Sequence, residues 1–356
     1  MLDGRTTLTQ FLIEERRRFP EAKGELNALI LDVALACKTV SRSVARGTLD
    51  TASNNCARDA TEGKTRNTLD DVANDSFLRS SEWGGHLAGV VSEEMESPYA
   101  IPRQYPRGSY LLVIDPLEGA SDSDVNVSVG SIFSILRAPN GGADAVASDF
   151  MQAGARQVCA GYAIYGPSTM LVITVGTGVH CFTLEPGLGE FFLTHSHLRI
   201  PPSTAEFAIN TSNSRFWEPA VKRYVQECLA GAPGPRRKDF NMRWIASLVA
   251  EAHRILMRGG VFLDPRDNRL PAATGQIWLL YEASPIAFIV EQAGGCASTG
   301  RGRVLDTVPQ SLNERVGLIF GSRDEVRRIE QYHRDHNLRE CDAPLFGVRG
   351  LFRAAI

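Results

Sequence analysis

Tyr110-Leu111-Leu112-Val113-Ile114 is apolar at every position and runs straight into Asp115-Pro116-Leu117-Glu118-Gly119. An unbroken apolar run of this length reads as a buried β-strand, so the fold has to cover it and still let two carboxylates emerge at its C-terminal end. The proline fixes a turn, the glycine lets backbone N–H groups approach an anion, and the flanking carboxylates suit hard cations such as Mg²⁺. Upstream, Leu87-Ala88-Gly89-Val90-Val91 leads in the same way into Ser92-Glu93-Glu94, a second acidic pair. Together the two clusters point to metal-assisted hydrolysis of a phosphate ester. Taken alone, an Asp-Pro-x-Glu-Gly stretch is more often a solvated turn.

Composition sets the remaining bounds. A chain of 356 residues, 43% hydrophobic and 22% charged, is ordinary for a soluble enzyme of one large or two medium domains. A net charge of −3 and the lack of a basic stripe with interleaved aromatics leave no footprint for nucleic acid. No apolar run has the roughly 18–20 residues of a membrane span, and Met1-Leu2-Asp3-Gly4 opens no signal-peptide core, so the expected location is cytoplasmic, without a membrane partner. The seven cysteines are odd in number, scattered and without a C-x-x-C pair, which favours reduced, mostly buried thiols. Arg16-Arg17-Arg18 and Arg236-Arg237-Lys238 read as solvated faces, and His180, His195, His197 and His253 show no ligand spacing.

Between Gly24 and Gly47, Leu26, Leu29, Ile30, Val33, Cys37, Val40 and Val44 recur at helical intervals, the stripe of an amphipathic helix closed by glycine. Gly47 to Asn67 is polar and reads as a long loop, after which Leu69 to Asp75 resumes a helical pattern. Val125 to Val129 alternates and Ile132 to Leu136 continues it past Gly130, as one long or bulged strand. Val158–Tyr165, Met170–Val175 and Val179–Leu184 are further strands, the last two joined as a hairpin. The second half alternates helices (Phe216–Leu229, Arg243–Met257, Pro285–Gln292, Glu325–Arg334) with strands (Val261–Leu263, Trp278–Tyr281, Val316–Phe320). A boundary near Pro201-Pro202 divides residues 1–200 from 201–336, and 337–356 read as a tail.

Thr7-Leu8-Thr9-Gln10-Phe11, Gly24-Glu25-Leu26, Leu69-Asp70, Ser92-Glu93-Glu94, Asp115-Pro116-Leu117, Asp124 through Gly130, Ala160-Gly161-Tyr162, Ser247 through Ala250, and Leu279-Leu280-Tyr281-Glu282 followed by Pro285 occur in this order. The set resembles the class I fructose-1,6-bisphosphatase family from Thr7 to about Tyr332. The resemblance implies an α/β sugar-phosphatase fold in α/β/α/β/α layers with two subdomains: an N-terminal one for metal and phosphate, with an AMP-site-like region, and a C-terminal one for substrate. It also implies a homotetramer, and Mg²⁺ or Mn²⁺ as cofactor, two to three per subunit. Its metal ligands fall on Glu93, Asp115, the Leu117 carbonyl, Glu118 and Glu282, and its water-activating pair on Asp70 and Glu94. Glu118 stands where the family has aspartate, so its carboxylate is expected to reach about one methylene further, into the sugar's space.

The phosphate cradle of the family falls on Gly119, Ala120 and Ser121, with one hydroxyl lost and Asp122 added, and an acidic loop position falls on Lys64. In the distal phosphate pocket Asn210 and Arg243 are retained, the latter implied to act from a neighbouring subunit. Family tyrosines align with Asn213, Trp244 and Asp264, and a lysine with Gln276. Each lost charged hydrogen bond costs roughly 1.5–3 kcal/mol, so a second phosphate is expected to bind poorly. At the family's AMP site Tyr110 and Arg137 remain, whereas Asn27 and Ser109 replace a threonine and a lysine, and AMP control is not expected. The expectation is therefore a metal-dependent phosphatase acting on a different small phosphorylated sugar or nucleoside. Fructose 1,6-bisphosphate itself is the runner-up substrate, and a non-catalytic binding homologue is the third reading.

Overall fold

The computed structural model describes residues 6–18, 24–47, 68–120, 125–266, 268–269 and 274–335. Lys64, Ser121, Asp122 and the tail after 336 lie outside them, as does nearly all of the expected long loop. Seven strands form one sheet in sequence order: β1 (Leu87–Ser92), β2 (Tyr110–Glu118), β3 (Val129–Arg137), β4 (Cys159–Tyr165), β5 (Thr169–Thr174), β6 (His180–Glu185) and β7 (Glu190–His195). β1 and β2 run parallel, and each later neighbour pair is antiparallel. A second sheet has the order β12 (Cys296–Ser298), β14 (Leu318–Gly321), β10 (Val261–Asp264), β8 (Glu206–Ile209), β9 (Asn241–Met242). A two-stranded ribbon pairs β11 (Ile277–Trp278) with β13 (Arg315–Val316).

Alternation along the strands places three helical layers around these sheets. On β3, Phe133 and Ile135 face a core shared with α1 (Leu8–Arg17), α2 (Glu25–Arg46) and α3 (Thr68–Ser81). Ile132 points the other way, into a core shared with α5 (Leu248–Arg258) and α6 (Ser284–Gln292). That middle layer also receives Ala208, Phe262 and Phe320 from the second sheet, whose far face buries Phe207, Leu263 and Ile319 against α4 (Pro219–Leu229) and α7 (Arg323–Arg334). The expected α/β/α/β/α layering is the one observed. Asn27 Nδ2 donates to the Leu12 carbonyl at 2.7 Å, tying α2 to α1.

Several local readings change. Asp115-Pro116-Leu117-Glu118 is not a turn: β2 runs through Glu118, and the turn begins at Gly119, whose φ of 77° suits a residue without Cβ. Proline fits inside β2 because the pairing slips there, Asp115 lying opposite Ile132 and Glu118 opposite Gly130, while Ser131 Oγ donates to the Pro116 carbonyl at 2.7 Å. Val125 to Ser128 precede β3 rather than extend it, with Asn126 at φ 61° and Val125 exposed. The helix expected from Arg243 starts only at Leu248, because Ser247 accepts from Ala250 N and caps it. Arg236 is no solvated residue: its guanidinium donates to both Glu325 oxygens at 2.6 Å in a buried pair.

The largest change is at Trp278–Tyr281, expected as a strand. Only Ile277 and Trp278 are extended, and Leu279–Ala283 form a π-helical turn that feeds α6, with Pro285 in the first turn of that helix. Such turns favour functional sites because the wider ring re-aims a side chain, here Glu282. Among the described residues five cysteines are free and four of them are buried. No described helix is long and apolar enough to cross a membrane.

Candidate active site

Because β1 and β2 are parallel, their C-terminal ends lie side by side, Ser92 against Ile114, and Glu93 N donates to the Ile114 carbonyl at 3.1 Å. Glu93 and Asp115 therefore meet at one edge of the sheet, close enough to share a hydrogen bond. Asp70 and Asp71 arrive in the first turn of α3, and the π-helical turn brings Glu282 from the other half of the chain. Asp115 is 3% exposed and Glu282 9%, Glu93, Glu118 and Asp70 are half-buried, and Glu94 is exposed.

Crowding of carboxylates in a poorly hydrated space disfavours ionisation. Burial raises Asp115 well above the ordinary carboxylate range, and the charges of Glu93, Glu282 and Glu118 add to the rise. Glu282 is raised by burial and by Glu93, against the Trp278 N–H donating to its Oε2 at 2.6 Å. Glu93 is raised chiefly by burial, opposed by the Trp278 indole Nε1–H donating to its Oε1 at 2.7 Å. Asp70 is pushed up to about 7 by burial, then by Glu94, Asp71 and Glu93.

Glu118 directs both carboxylate oxygens to the start of α5. Its Oε1 accepts from Leu248 N at 2.8 Å, and its Oε2 accepts from Val249 N at 3.1 Å and Ser247 Oγ at 3.0 Å. The carboxylate thus caps the N-terminus of α5, where free N–H groups and the helix dipole favour an anion. Burial still raises its pKa, and these donors oppose the rise. Glycine at 130 permits the approach, since a Cβ there would lie 2.7 Å from Val249 Cγ1.

The donor set is all oxygen, the chemistry of Mg²⁺ or Mn²⁺. Asp115 Oδ2 is buried without a hydrogen-bond partner, as expected of an oxygen that would face a cation, and Asp70 Oδ1 is likewise buried without one, as an oxygen that would face a water. Among the described residues, however, no three His, Cys, Asp or Glu side chains already surround one point as a metal cage. Glu93, Glu282 and Glu118 each spend oxygens on N–H donors, so a cation bound here would require these carboxylates to turn. The residues fit a divalent metal on these terms, and Trp278, which the motifs do not single out, contacts two of the carboxylates. An aromatic side chain with an N–H donor four residues before Glu282 was the available signal.

Raised carboxylates have a testable sign. Protonated Asp70 is favoured in the folded state, so its stabilising contribution is complete below the unfolded value of 3.8 and is lost as pH rises through about 7. The metal-free protein is expected to lose several degrees of Tm between pH 5 and pH 8, with Asp70→Asn flattening that slope and millimolar Mn²⁺ restoring Tm at pH 8. Calorimetry checks it, and a Tm flat with pH and insensitive to Asp70→Asn would contradict the assignment.

Asn210, Asn213, Trp244, Asp264 and Gln276 line one pocket together with Trp217. Its free volume is about 20 Å³, room for roughly one water. Trp244 stacks on Phe262 with ring centroids 6.0 Å apart and planes 7° from parallel. Asn210 Oδ1 accepts from Ser212 N and Ser212 Oγ. Arg243 does not line this pocket; it is exposed and pairs with Glu206 at 3.4 Å. Gly119 and Ala120 follow β2 at the carboxylate end of the site.

Comparison with known proteins accounts for nearly the whole chain. Residues 6–196 match the family model for the fructose-1,6-bisphosphatase N-terminal domain and residues 200–334 that for its C-terminal domain. The class 1 fructose-1,6-bisphosphatase 3 of Methylibium petroleiphilum is 62% identical over 352 residues, covering 99% of each chain. The class 1 enzyme of Hydrogenophilus thermoluteolus is 63% identical over 350 residues, covering 98% of this chain and 97% of that one. The crystal structure of holo Leishmania major fructose-1,6-bisphosphatase superposes with a TM-score of 0.83 at 34% identity, covering 93% of this chain and 99% of its own. With a carboxylate cluster built at the ends of two parallel strands and matches that run from end to end, this chain belongs to the fructose-1,6-bisphosphatase family of phosphoric monoester hydrolases.

Proposed function

We propose that the chain hydrolyses the 1-phosphate of fructose 1,6-bisphosphate with the help of Mg²⁺ or Mn²⁺. The observation that carries this reading is that Glu93 and Asp115, at the ends of β1 and β2, are met by Glu282 from the π-helical turn, with Trp278 donating to both Glu93 and Glu282. Two relatives more than 60% identical over almost their full length bear the name of that activity. They weigh against the changed substrate suggested by Trp244, Asp264 and Gln276.

In this mechanism Glu93, Asp115, Glu282 and the Leu117 carbonyl would hold two or three divalent ions, with Glu118 adjoining them. Bound there, the ions supply Lewis-acid polarisation of the phosphoryl oxygens. Asp70, facing Glu94, orients the attacking water and takes its proton, a role suited to a carboxyl that titrates near neutrality. Oxygen from water forms the new bond to phosphorus as the bond to the sugar oxygen breaks, and that oxygen keeps the electron pair and takes up a proton from solvent to leave as the sugar hydroxyl. Backbone N–H groups at Gly119 and Ala120 would face the phosphoryl oxygens, and the pocket around Asn210, with free volume of about 20 Å³, would have to widen to receive the far end of the sugar. Arg243, exposed in a single chain, is available to complete a neighbour's pocket in a cytoplasmic homotetramer.

Phosphate release from fructose 1,6-bisphosphate, sedoheptulose 1,7-bisphosphate, hexose monophosphates and nucleoside phosphates tests the reading. Fructose 1,6-bisphosphate is expected to be turned over with the highest kcat/KM. Turnover confined to another ester would return the substrate to the reading drawn from the distal pocket, for which that pocket's small volume and carboxylate are the specific support.

A further inference from the structure

Trp278 grips a carboxylate from each half of the chain. Its indole Nε1–H donates to Glu93 at the end of β1, 185 residues away in sequence, while its main-chain N–H donates to Glu282 in the following π-helical turn. The indole is itself held. Trp278 lies opposite Arg315 in the β11–β13 ribbon, and the Arg315 guanidinium carbon sits 3.6 Å from the indole ring centre. Arg315 Nη1 in turn donates to the Gln276 carbonyl at 2.8 Å, which fixes the guanidinium over the ring. On another side the Tyr281 ring meets the indole edge-on, at 84° and 6.4 Å.

A donor on one oxygen of a carboxylate leaves the other oxygen aimed, and a donor that cannot rotate aims it more sharply. Backbone donation to Glu282 survives any change of side chain at 278, whereas donation to Glu93 depends on the indole. We infer that Trp278, clamped by Arg315, is the positioning residue that presets Glu93 beside Glu282 for a divalent cation. The inference rests on the metal-dependent reading above and extends it to two residues that reading does not use. Trp278 touches neither the reacting atoms nor the cation; it acts through Glu93. Arg315 acts one step further out, through the indole.

The test is Mn²⁺ binding by the full chain, followed by electron paramagnetic resonance of the free ion and so independent of turnover. Trp278→Phe keeps an aromatic ring beneath Arg315 and deletes only the indole donor. It is expected to weaken Mn²⁺ binding about tenfold, within the usual range for loss of such a partner, and to regain kcat at saturating Mn²⁺. Arg315→Ala frees the ring without touching a carboxylate and is expected to weaken binding by a smaller factor, about threefold. Unchanged or tighter Mn²⁺ binding by Trp278→Phe, with Tm preserved, would overturn the assignment. Should that variant fail to fold, Arg315→Ala decides alone, and unchanged affinity there counts against the clamp. Wild-type protein that binds Mn²⁺ but releases no phosphate from fructose 1,6-bisphosphate would sink the proposed activity and leave the positioning role standing.

Discussion

Asp115→Asn is expected to lower phosphate release by about a thousandfold or more while raising the Tm of the metal-free protein. The two effects share a cause. Asp115 is the most enclosed of the clustered carboxylates, its charge opposed by burial and by Glu93, Glu282 and Glu118. Replacing it with a neutral amide of the same shape removes that opposition and, on the proposed metal-dependent reading, removes a ligand for the cation at the same time. Loss of transition-state charge stabilisation worth several kcal/mol corresponds to about three powers of ten in rate. Steady-state kinetics and calorimetry on one preparation check both halves. Activity within tenfold of wild type would remove Asp115 from the metal site, and a lower metal-free Tm would show that its carboxylate serves the fold.

Glu118→Ala is expected to destabilise the protein by about 2–4 kcal/mol, because three donors lose their acceptor together. Urea denaturation measures this as a shift in midpoint at constant slope. Glu118→Gln retains an acceptor oxygen but not the charge that the helix N-terminus favours, so an intermediate loss is expected. Glu118→Asp restores the residue type implied by the family resemblance but shortens the arm, and is expected to loosen α5 from the sheet. A change below about 0.5 kcal/mol in the alanine variant would mean that solvent satisfies the end of α5 equally well.

Much of the fold could be read from pattern. The stripe from Leu26 to Val44 gave α2, and the apolar runs before Glu93 and Asp115 gave the two strands whose parallel pairing creates the site. Pattern failed where two structures share one hydrophobic signature. Trp278-Leu279-Leu280-Tyr281 is as apolar as a buried strand, and only the bond from Trp278 N to Glu282 and the proline at 285 reveal the π-helical turn. The α5 boundary was missed because Ser247 ends the extended segment through a side-chain bond that periodicity does not register. At the site, the identities of the clustered carboxylates were legible from the order of the motifs. The direction of Glu118 was not, since the N-terminus that captures it belongs to a helix about 130 residues later. Trp278 was hidden for the same reason, its partner Glu93 being remote in sequence.

That remoteness bears on the order of events during synthesis. At roughly 5–20 residues per second, the ribosome delivers Trp278 about 10–40 s after Glu93. Until then the acidic edge formed by β1 and β2 has no indole and no Glu282, and until Arg258 is made it has no complete α5 either, so water can hydrate its carboxylates. The cost of enclosing several like charges therefore falls on the closing step alone and spares the nucleation of the first sheet. In a nascent chain the site is finished only after the first sheet, with closure waiting on the second half of the polypeptide.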